Sequence, residues 1–130
     1  QAQINAGADI IFTMLNSGRT GAIEACKENN VYQIGNVKDW TKVQPDVFVA
    51  SAIANVSIAA FEAGKDMVQG TWQPGQIKKI GLSNREAVSL ALAPYVPQAV
   101  AKQIEQLANQ IAKGEIHVAI TYEGPEFSVE

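Results

Sequence analysis

The stretch "YQIGNVKDWTK", residues 32–42, turns from an apolar run into Asn36, Lys38, Asp39 and Trp40. An amide, an ammonium, a carboxylate and an indole thus stand within five residues. A carboxylate accepts two hydrogen bonds from vicinal hydroxyls, and an indole stacks on a flat ring or a sugar face. Two readings stay open for the stretch. Trp40 covers the edge of a sheet while Lys38 and Asp39 are solvated, or the loop is one wall of a binding site.

A second polar cluster, "MLNSGRTG" at 14–21, sets Asn16, Ser17, Gly18 and Thr20 beside the charge of Arg19. Glycine lets the backbone approach a ligand closely, and the free N–H groups of a helix start hold an anion or a hydroxyl. The spacing is neither G-x-x-x-x-G-K-S/T nor G-x-G-x-x-G. A tight turn before a capped helix and a binding loop both fit it. A third cluster, "LSNRE" at 82–86, offers Asn84, Arg85 and Glu86 either to a ligand or to the start of a helix.

Catalytic groups are sparse. His117 falls in a strand-like run without a carboxylate and nucleophile at recognisable spacing, so it reads as a structural histidine. Glu123 and Glu126 read as a solvated tail. Cys26 lies in the apolar helical stretch IEACKE and reads as a small buried hydrophobe. One histidine and one cysteine cannot assemble a zinc site. The residues favour binding over catalysis, with no cofactor.

Elements that position these clusters follow from periodicity. Short runs at 9–14, 31–35, 46–52, 77–82 and 116–121, bounded by Gly, Asn or Asp, read as strands. Helical patterns fall between several of them. One starts with Thr20 as N-cap and stops at Asn29-Asn30. One spans 55–69 with Val56, Ala59, Ala60, Ala63 and Met67 on a face, closed by Gly70. One runs from Pro97 to Lys113 with Val100, Ile104, Leu107, Ala108 and Ile111 on a face, closed by Gly114. The opening "QAQINAGAD" reads as a helix tail closing at Gly7. A chain that begins inside a helix is expected to be a piece of a longer protein.

Alternating short strands and helices predict an α/β fold built of right-handed βαβ units on a parallel sheet. Ligands in such sheets bind beyond the carboxyl ends of the strands, where all three polar clusters would lie. The 130 residues suit one domain. A net charge of −3, with no basic cluster longer than Lys78-Lys79, argues against nucleic acid or an anionic membrane as partner. No apolar run reaches the roughly 20 residues that span a bilayer.

The order of motifs then becomes informative. "INAGADIIF", "GAIEACKENNVYQIG", "VFVASAIANVSIAAFEAGKDMVQGTW", "KKIGLSNREAVSL" and "IAKGEI" follow one another from residue 3 to about 118. Together they resemble the basic membrane protein, or purine-nucleoside-receptor-like, family of substrate-binding proteins of bacterial ABC transporters. The resemblance implies a type I periplasmic-binding-protein fold with three-layer α/β/α lobes, of which this chain would be mostly the second, the first lobe being absent. It also implies a purine-like small molecule as ligand, a transporter permease as partner, and a periplasmic or extracellular location. Contact with membrane would come only through an upstream lipid anchor. A fragment of this kind would expose apolar surface and associate with itself.

By the same resemblance the ligand site would include Asn16, Ser17, Gly18, Asn36, Asp39, Trp40, Ser51 and Asn84. The family's G-V-D-S-D pattern reads Gly35-Asn36-Val37-Lys38-Asp39 here, so that Val37 replaces the first acid. Its T-S-x-x-K-x-V-D pattern reads Ala50 to Ser57, with Ala54 for the lysine and Ser57 for the acid. The departures fall on polar ligand-contacting positions. They point to a purine base or other flat heterocycle stacked on Trp40 rather than a ribonucleoside held through its ribose. A ligand-sensing domain of a transcriptional regulator is the alternative, since the same fold serves there.

Overall fold

The computed structural model describes residues 1–119, 121 and 124. In chain order the elements are α1 (Ala2–Asn5), β1 (Ile10–Phe12), α2 (Arg19–Glu28), β2 (Tyr32–Val37), β3 (Phe48–Ala54), α3 (Val56–Gln69), β4 (Val88–Leu92) and α4 (Gln98–Ala112). The strands form one sheet in the order β1-β2-β3-β4. β1 and β2 are parallel, as are β2 and β3, whereas β4 lies antiparallel to β3. The α/β class is as the sequence predicts, but the sheet is mixed.

The antiparallel strand has a simple cause. The chain leaves β3 at its carboxyl end, runs out along α3, and returns to the same edge, where the Asn55 amide donates to the Ala87 carbonyl at 2.8 Å. From there it can only enter β4 against the direction of β3. The strand expected at 77–82 is therefore displaced to Val88–Leu92. Residues 77–80 join no ladder, Ile77 is 89% exposed, and Lys78 reaches back to Asp66 of α3 at 2.8 Å. "IKKIGL" offers apolar residues but finds no unpaired strand beside it. The strand expected at 116–121 is also absent at 116–119 and 121, and His117 is exposed rather than held in a ladder. Ile120, Glu123 and Glu126 lie outside the described residues.

Helix ends follow local chemistry. Gly7, Gly70 and Gly114 take the left-handed conformation (φ of 93°, 70° and 76°) just past α1, α3 and α4, which glycine adopts without a Cβ penalty. The Asn55 side chain accepts from the Ser57 amide and caps α3. Pro97 precedes α4. At α2 the expected Thr20 cap is replaced by Gly18, two residues earlier, with no side chain capping the helix.

The core sits where α2 meets the β2–β3 region. Cys26, Val31, Val47 and Phe48 form it, with Ile4, Ile11, Ile23 and Trp40 packed around them. Cys26 is thus a buried hydrophobe. The parallel step from β2 to β3 is made without a helix, by turns over 38–47 that fold back across the sheet. Elsewhere apolar surface is left open: on α3, Phe61, Met67 and Val68 are 68%, 66% and 90% exposed. α4 faces Leu90 and Leu92 through Ile104, Leu107, Ala108 and Ile111 across a hollow of about 510 Å³.

Candidate ligand-binding site

Because β1, β2 and β3 are parallel, their carboxyl ends share one edge of the sheet with the amino end of β4. The loops at 13–18, 37–40, 55–57 and 84–87 all emerge there. A hollow of about 450 Å³ opens beside α2, lined by Asn16, Ser17, Arg19, Thr20, Trp40 and Gln44 among others. It brings together two of the three polar clusters that the sequence singles out.

Trp40 is anchored from several sides. Its Nε1 donates to the Asn36 carbonyl at 3.1 Å, and its ring lies 5.5 Å from that of Phe48, tilted by 32°. The ring also packs on Gly35: a Cβ added there would stand 2.6 Å from Trp40 Cδ1. Two cations stand over it, the Arg19 guanidinium at 4.4 Å and the Lys38 ammonium at 4.3 Å from the centroid. Cation–π attraction of this kind strengthens where the cation is desolvated. Arg19 is buried and Lys38 is exposed.

Arg19 ties the β1–α2 loop to the end of β2. Its Nη2 donates to the Leu15 carbonyl at 2.6 Å and to Asn36 Oδ1 at 2.5 Å. Asn36 therefore contributes to the site by holding Arg19. The arginine is 7% exposed, and burial lowers its pKa, although a guanidinium keeps its proton. Nothing in "NSGRTG" marks this arginine for burial, and in the sequence it reads only as a loop charge.

The other expected residues are engaged locally. Asp39 Oδ1 accepts from the amide and hydroxyl of Thr41, and Oδ2 meets Lys42 at 3.3 Å. The carboxylate thereby caps the turn in which Val43 and Gln44 donate to the Trp40 carbonyl. Ser51 is fully buried and donates to the Lys38 carbonyl at 2.6 Å, pinning the crossover to β3. Gly18 precedes α2 at the rim. Asn84 shares the edge but lies at the β4 side, where its Oδ1 accepts from the amides of Glu86 and Ala87. Val37 has φ of 72°, a left-handed conformation that is strained for a β-branched residue. It sits at the tight turn closed by the Lys38 amide and the Asn36 carbonyl at 2.9 Å.

The Thr41 hydroxyl holds the Asp39 carboxyl below its ordinary pKa; partial burial opposes this and Lys42 adds to it. A carboxyl depressed in the folded state contributes stability above the unfolded pKa of about 3.9 and loses it as pH falls through the lower folded value. Asp39→Asn keeps an acceptor for Thr41 but abolishes this titration. The stability difference between wild type and Asp39→Asn should be constant near neutrality and shrink below about pH 4. Denaturant titrations at a series of acid pH values check it; a pH-independent difference would show that the carboxylate charge plays no part in the turn.

Among the described residues no three His, Cys, Asp or Glu side chains cluster to hold a metal ion, and no helix is long and apolar enough to cross a membrane.

The chain is thus an α/β protein with a hollow at the carboxyl ends of its parallel strands. An ABC transporter solute-binding protein from Aeropyrum pernix K1 aligns with a TM-score of 0.72 at 17% identity, over 94% of this chain and 43% of that one. Another, from Conexibacter woesei DSM 14684, aligns with a TM-score of 0.60 at 18% identity, over 91% and 39%. A transcriptional activator of the comK gene from Bacillus halodurans aligns with a TM-score of 0.79 at 19% identity, over 89% and 41%. The chain spans about two fifths of each of these proteins. No curated protein is significantly similar in sequence. Residues 1–121 match the profile of Bmp, the PnrA-like ABC transporter substrate-binding proteins, and the chain belongs to that family.

Proposed function

We propose that this chain is one lobe of an exported solute-binding protein that delivers a flat heterocycle, purine-like in shape, to an ABC transporter permease. The observation that carries the reading is the hollow shared by Asn16, Ser17 and Trp40 at the carboxyl edge of the sheet. In this reading the heterocycle lies on the Trp40 ring in place of the exposed Lys38 ammonium, and Asn16 and Ser17 supply hydrogen bonds to its edge. Asp39, Ser51 and Asn36 hold the frame around it. Asn84 stands apart, on the β3–β4 side. A second lobe would close over this edge, so the isolated chain binds weakly. The apolar surface of α3 would pack against other parts of a longer chain, or against a second copy of this one.

Trp40→Ala should weaken purine binding by about 1–3 kcal/mol, the range for aromatic–base stacking. Calorimetric titration of the full-length protein checks it, and unchanged affinity would remove the stacking role. The fold likeness to a transcriptional activator supports a second reading, a ligand-sensing domain. The residues that precede Gln1 in the gene separate the two: an export signal favours the importer, and a segment that binds DNA favours the sensor.

A further inference from the structure

We infer that the hollow beside α2 receives an anionic group of the ligand, a carboxylate or a phosphate, with Arg19 as its counter-ion. This deepens the proposed binding role and rests on the same hollow, but not on the ligand being a purine. Arg19 lines the hollow and is more than nine-tenths buried. A buried guanidinium is ordinarily matched by a carboxylate, because an unpaired charge away from water is costly. Arg19 forms no ion pair among the described residues. Its two hydrogen bonds, both from Nη2, go to neutral oxygens, and Nη1 is buried with no acceptor at all.

The neighbouring charges do not supply the missing anion. Asp39 is taken up by Thr41 and Lys42. Glu24 lines the hollow without reaching Arg19, and it is opposed there by Lys27, with Lys38 standing over Trp40 nearby. In a chain of net charge −3 this corner is locally positive. The start of α2 adds to the effect: it has no side-chain cap and no acidic residue in its first turn. The Arg19 amide donates to the Asn16 carbonyl at 3.3 Å, and the partial positive charge of the helix start favours an anion. Such an anion would accept charge-assisted bonds from Nη1 and from the helix start together. Nη1 is covered as the chain stands, so binding includes a shift of the exposed 14–18 loop.

The test is an NMR titration of the ¹⁵N-labelled chain with sodium phosphate, with sodium acetate and with adenine, at constant ionic strength. Phosphate or acetate should move the Trp40 indole N–H and the amides of 16–20 saturably. Saturation by phosphate alone identifies a phosphate-bearing ligand, and saturation by acetate alone a carboxylate. Arg19→Gln should weaken that binding by about tenfold, the loss of one charged hydrogen bond, and Arg19→Lys should restore part of it. Absence of a saturable shift with either anion on the wild-type chain overturns the inference, as does equal affinity in Arg19→Gln. Shifts with adenine but neither anion overturn it while leaving the heterocycle reading intact. Anion shifts with no adenine response support it and count against the heterocycle.

Discussion

Phe48→Ala should lower the unfolding free energy by about 3–5 kcal/mol, the cost of emptying a closed aromatic site. Phe48 has no exposed surface and meets Val47, Cys26 and Val31 in the core. It is also the aromatic partner of Trp40 at 5.5 Å, a pairing that adds about 0.5–1.5 kcal/mol beyond area burial. Natural domains have only about 5–15 kcal/mol in total, so the substitution removes a large share. The crossover that makes the hollow should loosen together with the core, because one ring serves both. Urea denaturation followed by tryptophan fluorescence measures the effect, with Phe48→Leu as a milder companion. A loss under about 1 kcal/mol, below the range for such a truncation, would mean that the core around β3 is not packed as described.

Gly35→Ala is the second large effect, and it acts by addition rather than removal. The new Cβ would lie 2.6 Å from Trp40 Cδ1, 2.9 Å from Trp40 Cβ and 2.8 Å from Ser51 Oγ. Trp40 is held by its bond to the Asn36 carbonyl, and Ser51 by its bond to the Lys38 carbonyl. Neither can yield without lifting the crossover from the sheet. Overpacking of this kind costs about 1–3 kcal/mol, and here it also displaces the aromatic wall of the hollow. Near-ultraviolet circular dichroism should change along with the denaturation midpoint. A double-mutant cycle with Trp40→Ala measures the indole's share: the variant removes Cδ1 but keeps Cβ, and Ser51 Oγ is untouched, so the two effects should be partly non-additive. Additive effects would assign the clash to Trp40 Cβ and Ser51 Oγ.

These two predictions share a physical theme, which is that Trp40 belongs to the core and to the candidate site at once. In the sequence, packing of the sheet and lining of a site read as alternatives for this residue. The geometry puts one part of the ring against Gly35 and Phe48, and leaves its neighbour Lys38 exposed above it. A residue fixed by the core makes a rigid surface, and rigidity lowers the ordering cost of binding.

Much of the local structure was determined by the sequence by itself. Gly7, Gly70 and Gly114 end helices, Asn55 and Pro97 begin them, and the apolar runs at β1, β2 and β3 lie within two or three residues of the observed strands. These features depend on interactions inside one turn or on side-chain periodicity, so neighbouring residues suffice to specify them. The grouping of Asn16, Ser17 and Trp40 was legible to the same extent, because parallel strands bring their following loops to one edge.

Tertiary structure decided the rest. "IKKIGL" and "VSLAL" are both short apolar runs, and only the free edge of β3, together with the return of the chain to Ala87, makes the second a strand and the first a loop. Asp39, Ser51 and Asn84 have the polar groups of ligand contacts, yet turns and backbone carbonyls nearby claim them. Arg19 is the converse case, a charge in a polar loop whose burial arises only when the ends of β1 and β2 close around it. Strand pairing and burial of charge depend on groups brought together from distant parts of the chain, so short-range patterns carry no direct record of them.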